Sequence, residues 1–330
     1  MVEAKVFMSR PYHPEAETLL RENFEVEVWD KETSPPRELM LEKLAECQAL
    51  FAESYDRVDA EMMAAGKSLR VISNRAVGTD NLDIPEATRR GILLGNTPGI
   101  LQDSCADFTF ALILDAGRRI TFSDRDVRAG NWTYLTQTPY IGTDIHGKTL
   151  GIVGLGGIGQ RVARRAGGFD MRVLYYSRTR KPEIEEELGT EWMASLDSLL
   201  GEADYVSLHM PLTPETEGLI GRLQLERMKP EAFLINTSRG RTVDLKALYE
   251  ALSGGTIAGA AIDVSDPEPI PLDDPLLSLP NLVITPHIAS ASSATFKAMA
   301  NMAALNIIAA LTGQPMPSCI NPDALEHRRG

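Results

Sequence analysis

Three side chains in the last third of the chain have the types that a reaction at a carbonyl needs: Arg239 in INTSRG, Glu268 in DVSDPEP and His287 in TPHIAS. Arginine presents a planar fork that matches a carboxylate. An imidazole gains or loses its proton near neutrality, and a carboxylate beside it fixes its orientation and favours its charged form. Each residue follows an apolar run, AFLIN, IAGAAID and LVITP respectively. Open parallel sheets gather their ligands at the carboxyl ends of strands, so three such positions are expected to converge. Taken singly, His287 reads as a polar residue at a strand end, Arg239 as a surface cation, and Glu268 as a solvated carboxylate between prolines. The other histidines, His13, His146, His209 and His327, have no comparable setting and are expected to be structural or exposed.

Upstream, TLGIVGLGGIGQRVARRAGGF places an apolar strand before Gly154-x-Gly156-x-x-Gly159 and a helix pattern after it. In that context the glycines have separate tasks. Gly154 permits a tight turn, Gly156 lets a pyrophosphate approach the backbone, and Gly159 lets the helix pack on the strand, with Gly157 and Ile158 in the helix's first turn. An acidic residue some 20 positions on would bind a ribose 2'-hydroxyl. Here the second strand ends instead in Ser177-Arg178-Thr179-Arg180-Lys181, with no acid before Glu183. Two hydroxyls and three cations suit the 2'-phosphate of NADP(H), which is expected over NAD(H), with NAD(H) still possible. A solvated basic turn is the other reading.

These motifs need elements to position them. Short apolar runs at 5–9, 25–29, 49–53, 69–73 and 92–96 alternate with helix-compatible segments, and the same rhythm resumes at Thr149 with runs ending near 177, 209, 236, 263 and 286. The expected fold class is α/β, with two doubly wound parallel-sheet domains. Gln102 to Arg128 reads as one long helix that could bridge them, and 129–148 as an aromatic-bearing loop suited to an interdomain cover or a subunit contact. A last helix, Phe296 to Leu311, needs a surface to pack on, and a return to the first domain would make that domain discontinuous. The end, DALEHRRG, is expected to fray.

A length of 330 residues suits two domains. The 33 basic and 46 acidic residues give a net charge of −13, which argues against nucleic acid or an anionic membrane as partner. A small anionic substrate stays compatible if arginines and backbone amides make a local positive pocket. Cys47, Cys105 and Cys319 are widely spaced and odd in number, so neither a disulfide framework nor a metal site is expected. The start MVEAKVFMSR lacks a signal pattern, no uninterrupted apolar run is long enough to span a bilayer, and the chain reads as cytoplasmic.

In order, VGLGGIGQRVA, HMPLTPET, INTSRGRTVD, AAIDVSDPEP and TPHIAS, with SNRAVGTDNLDIPEATRRGI and NTPG before them, resemble the motifs of the D-isomer-specific 2-hydroxyacid dehydrogenase family over roughly residues 50–312. The resemblance implies a Rossmann NAD(P)-binding domain, 101–288, inserted into a flavodoxin-like substrate (catalytic) domain made of 1–100 plus 289–330, with a cleft between them. It also implies a homodimer that uses the segment after the bridging helix, including Trp132. Carried over by motif, Arg239 binds the substrate carboxylate and carbonyl oxygen, His287 protonates that oxygen, and Glu268 holds the imidazole. The amides of Val77 and Gly78 take the other end of the carboxylate, while Thr237 and Asp263 contact the nicotinamide side of the cofactor.

Two departures stand out. Many members read DVFEEEP where this chain has Pro267 directly before Glu268, which bears on how the carboxylate is aimed. Arg75, before AVG, is similar to the D-lactate dehydrogenase branch, where an arginine helps bind substrate; a structural role is the alternative. The SRTRK turn resembles the glyoxylate/hydroxypyruvate reductase branch, with D-lactate or 3-phosphoglycerate dehydrogenase-like activity as the second reading. A dinucleotide-sensing scaffold without turnover is the reading from another class.

Overall fold

A computed structural model describes residues 3–31 and 33–327. The expected fraying of DALEHRRG falls partly outside these, since 328–330 are not among them. Up to His327 the segment is ordered instead, as the 3-10 helix Pro322–His327 with Ala324 fully buried. Two compact units divide the chain. One runs to Leu101 and resumes at Ala291, and the other is Gln102–Ser290.

The first unit holds a five-stranded parallel sheet of β1 (Lys5–Met8), β2 (Glu25–Val28), β3 (Ala49–Ala52), β4 (Val71–Asn74) and β5 (Leu93–Gly95), in the order β2-β1-β3-β4-β5. This is the flavodoxin-like order. Helices cover both faces, which is why β3 and β4 are buried at every position and read as continuous apolar runs. The last helix is Ser293–Thr312, and its Ala300, Ala303, Ala304 and Ile307 share a core with Val6, Met8 and Val71. By length and composition that helix could cross a membrane, with a mean hydropathy of 1.3, but its apolar side is spent on this core.

In the second unit seven parallel strands lie in the order β12-β11-β10-β9-β6-β7-β8. They are β6 (Thr149–Val153), β7 (Arg172–Tyr176), β8 (Thr190–Trp192), β9 (Tyr205–Leu208), β10 (Phe233–Asn236), β11 (Gly259–Ile262) and β12 (Leu282–Ile284). The order reverses between β6 and β9, so the glycine turn after β6 lies at the switch point where such sheets bind ligands. β8 has no counterpart among the expected runs. It is a three-residue edge strand, TEW, with two residues exposed and no apolar run to betray it.

The long helix expected from Gln102 to Arg128 is two helices, Gln102–Arg118 and Ile120–Arg128. Arg119 between them is left-handed, with φ 56. Asp115 explains the break: its carboxylate accepts the Thr121 amide at 2.7 Å and also the Thr121 hydroxyl, capping the second helix from the last turn of the first.

Candidate active site

The carboxyl ends of β10, β11 and β12 do bring Arg239, Glu268 and His287 together. After β10 the buried Asn236 shapes the turn, its Oδ1 accepting the Ser238 amide at 3.0 Å and its Nδ2 donating to the Arg239 carbonyl at 3.0 Å. Thr242 Oγ1 donates to the same carbonyl at 2.6 Å. The Arg239 guanidinium donates to the Ser238 carbonyl at 2.8 Å. Gly240 presses on the loop after β11, where a β-carbon would meet the Ser265 carbonyl at 1.9 Å.

That loop carries Glu268. Its Oε1 accepts the Ser265 amide at 2.9 Å, and its Oε2 lies 2.9 Å from His287 Nδ1. Pro267 therefore does not turn the carboxylate away from the imidazole. Burial acts to raise the Glu268 carboxyl, but the bond to His287, the imidazole charge, the Ser265 amide and the nearby Arg239 cation outweigh it and hold the group below its ordinary range.

His287 has φ 55, a left-handed conformation that a non-glycine residue adopts at a cost. Asp263, buried at the end of β11, sustains it. One carboxylate oxygen accepts the Thr285 hydroxyl at 2.6 Å and the Ile288 amide at 2.9 Å, and the other accepts the Ala289 amide at 2.8 Å. Burial pushes the Asp263 carboxyl up against these bonds. Both Asp263 oxygens thus serve the turn that presents His287. Thr237, the other residue expected near the nicotinamide, shares a 3.1 Å hydroxyl contact with Thr109.

At the switch point each glycine meets a different constraint. Gly154 has φ 98 and would place a β-carbon 2.9 Å from the backbone after β9. At Gly159 a β-carbon would lie 2.3 Å from the Gly154 carbonyl. At Gly156 nothing lies within 4 Å of that position, which leaves a phosphate room beside the first turn of the helix Gly157–Ala166. These residues fit a dinucleotide. His209, which follows β9, stays neutral: burial pushes its imidazole down to about 3, and its Nε2 is 2.8 Å from the Ser207 hydroxyl.

The basic turn after β7 is less uniform than its sequence. Arg180 is committed to Glu185 through bonds of 3.0 and 2.8 Å and lies over Trp192. Lys181 reaches back to the Leu155 carbonyl of the glycine turn at 2.8 Å, and Ser177 donates to the Thr179 carbonyl at 2.7 Å. Arg178 is exposed, and among the described residues it makes no hydrogen bond or ion pair.

In the first unit, Arg75 is ion-paired with the buried Glu53 and lies 4.1 Å from the ring centroid of Phe296 and 5.5 Å from that of Tyr12. Its guanidinium is held by the unit's own interior. Val77 and Gly78 follow it in a loop that carries no regular structure.

The sequence model of the D-isomer specific 2-hydroxyacid dehydrogenase, NAD binding domain family matches residues 110–289. The chain belongs to the D-isomer-specific 2-hydroxyacid dehydrogenase family. A Korarchaeum cryptofilum protein named glyoxylate reductase is 47% identical over 99% of this chain and 98% of its own. One of the same name from Thermococcus kodakarensis is 46% identical over 98% of each chain. Among solved structures, a Thermus thermophilus protein superposes with a TM-score of 0.91 at 44% identity, over 96% of this chain and 99% of that one. The NADPH-dependent glyoxylate/hydroxypyruvate reductase of Sinorhizobium meliloti, solved with NADP and malonate, gives 0.86 at 29% identity over 99% of both. The protein is thus an NAD(P)-dependent oxidoreductase of this dehydrogenase family, with a Rossmann unit bearing the Arg, Glu and His side chains.

Lys181 and Asp263 gain parts that the motifs did not disclose. Lys181 braces the glycine turn from a site 26 residues away in sequence. Asp263 acts on the His287 backbone, a contact that only the spacing of β11 and β12 creates.

Proposed function

We propose that this dehydrogenase reduces glyoxylate to glycolate, and hydroxypyruvate to D-glycerate, with NADPH as the preferred cofactor. The observation that carries the reading is the 2.9 Å contact between His287 Nδ1 and Glu268 Oε2 beside Arg239. With Nδ1 on Glu268, Nε2 is the nitrogen that delivers a proton to the substrate's carbonyl oxygen. The Arg239 guanidinium holds the substrate carboxylate and balances negative charge gathering on that oxygen. Glu268, kept ionised, compensates the imidazolium and fixes its ring. The bound dinucleotide supplies the hydride. In the reverse direction His287 takes the proton back.

The choice of substrate is supported by the names of the relatives, and the first unit is assigned as the substrate domain, with the Val77 and Gly78 amides taking the far side of the carboxylate. NADPH preference rests on Arg178, with Ser177 and Thr179 beside it, while Arg180 is already occupied by Glu185. Asp263 and Thr237 would border the nicotinamide. Arg75, tied to Glu53, is assigned to the substrate domain's interior scaffold. A homodimer is supported by exposed Ile120, Val127, Trp132, Tyr134, Leu135 and Ile141 in one stretch, next to a cavity of about 580 Å³ lined by Arg119, Phe122, Ile141 and Leu279. Three free thiols suit the cytoplasm. The test is loss of NADPH absorbance with glyoxylate, hydroxypyruvate, pyruvate and 3-phosphohydroxypyruvate. Fastest turnover of glyoxylate or hydroxypyruvate is expected, and no turnover of any 2-keto acid would reduce the chain to a binding scaffold.

A further inference from the structure

Three consecutive peptide carbonyls in the loop after β4 are each held by a hydrogen bond. Ala76 O accepts the Thr97 amide at 2.9 Å, Val77 O accepts Asn96 Nδ2 at 3.0 Å, and Gly78 O accepts Asn74 Nδ2 at 3.2 Å. A trans peptide is planar, with its N–H directed opposite to its carbonyl. Each of these bonds therefore turns the N–H of the following residue, Val77, Gly78 or Thr79, away from the donor that holds its peptide's carbonyl. Among the described residues nothing accepts from the amides of Val77 or Gly78. Successive amides aimed in this way form an anion-binding concavity.

Asn96 is itself fixed. Its Oδ1 accepts the Ser318 hydroxyl at 2.6 Å, which leaves the amide nitrogen for Val77. Its own carbonyl accepts Asn306 Nδ2 at 3.0 Å, and Asn306 Oδ1 accepts the Ser318 amide at 3.0 Å. Asn306 is fully buried on the last helix, and a β-carbon at Gly95 would meet its side chain at 2.8 Å, so the backbone before Asn96 lies directly on it. Asn74 is likewise buried and donates also to Asn81 Oδ1 at 3.1 Å.

We infer that Asn96 is a positioning residue for substrate carboxylate binding: held by Ser318, it orients the peptide whose Gly78 amide receives the carboxylate, with the Thr97 amide doing the same for the preceding peptide, which carries the Val77 amide. The inference rests on the assignment of the Val77–Gly78 loop as the carboxylate site. Asn96 acts through the Val77 carbonyl, to which its Nδ2 donates, and the C-terminal segment carrying Ser318 reaches the site by this route.

The test compares Asn96→Asp, Ser318→Ala and Val77→Pro in the full-length enzyme. An aspartate at 96 keeps the acceptor for Ser318 but sets an oxygen against the Val77 carbonyl, which turns the peptide over. Expected for Asn96→Asp is a KM for glyoxylate and a Ki for the carboxylate inhibitor oxamate raised roughly tenfold or more, the loss of a hydrogen bond to a charged group. Binding of NADPH, followed by fluorescence, stays unchanged, as does turnover of methyl glyoxylate, an ester without the anion. Ser318→Ala shifts the same constants in the same direction by less. An equal loss with the ester, or an unchanged oxamate Ki in both Asn96→Asp and Ser318→Ala, overturns the inference. Val77→Pro removes an amide of the site itself. If it raises the oxamate Ki while Asn96→Asp does not, only the positioning role falls; if neither responds, the carboxylate assignment of the loop falls with it.

Discussion

Gly240 and Ser265 are packed so closely that a β-carbon on the glycine would stand 1.9 Å from the serine's carbonyl oxygen. The first follows Arg239 and the second opens the loop that ends in Glu268, so one backbone contact sets the spacing of two functional side chains. Gly240→Ala must push the loops apart. It is expected to destabilise the protein by roughly 1–3 kcal/mol, the usual cost of overpacking. The larger effect should be on kcat for glyoxylate, with NADPH affinity nearly unchanged. Steady-state kinetics with denaturant titration check this, and an alanine variant with wild-type kcat would show that the loops are set by other contacts.

His287→Gln and Glu268→Gln should fail differently. The first removes the proton donor, and a loss of roughly 10²–10⁴ in kcat with intact cofactor binding is expected. The second keeps the shape and removes a charge whose folded-state pKa lies below its ordinary 4.5. A carboxylate with a depressed folded pKa contributes stability that is full above its unfolded value and is lost as pH falls through the folded one. The difference in Tm between wild type and Glu268→Gln should therefore be greatest above about pH 5 and shrink as the pH falls below 4.5. A difference independent of pH would deny the charge any role in stability.

Gly156 and Gly159 belong to one motif and predict opposite phenotypes. Alanine at 159 meets the Gly154 carbonyl at 2.3 Å and should lower Tm. Alanine at 156 meets no protein atom within 4 Å, so Tm should hold while NADPH and NADH both bind about an order of magnitude more weakly, the worth of a hydrogen bond to a phosphate. Thermal melts with cofactor titrations separate the two, and a destabilised Gly156→Ala that binds NADPH normally would contradict the assignment.

Arg178 and Arg180 are two residues apart and differ in what they already hold. Arg178→Ala should lower kcat/KM for NADPH by about tenfold or more and leave NADH unaffected, because only the 2'-phosphate is lost as a partner. Arg180→Ala should act weakly and on both cofactors, since its guanidinium is bonded to Glu185. Equal losses with NADPH and NADH in Arg178→Ala would remove the turn from cofactor selection.

The sequence by itself determined the two parallel sheets, the glycine turn at the switch point and the gathering of Arg239, Glu268 and His287 at strand ends, because buried strands and phosphate turns leave short-range patterns that need no partner to be recognised. It could not show β8, which is held by its neighbour β7 and has no apolar run of its own, or the break at Arg119, which Asp115 imposes through the Thr121 amide. Only the tertiary structure decided that Arg180 and Arg75 are spent on Glu185 and Glu53, and that Pro267 leaves Glu268 facing the imidazole. It also decided that Asp263 supports the left-handed His287, and that Asn96 is oriented by Ser318, 222 residues further along the chain. A charged or amide side chain has the same letter whether it is committed or available. Which of the two it is depends on a partner brought near by the packing of other segments, and local sequence carries no trace of that partner.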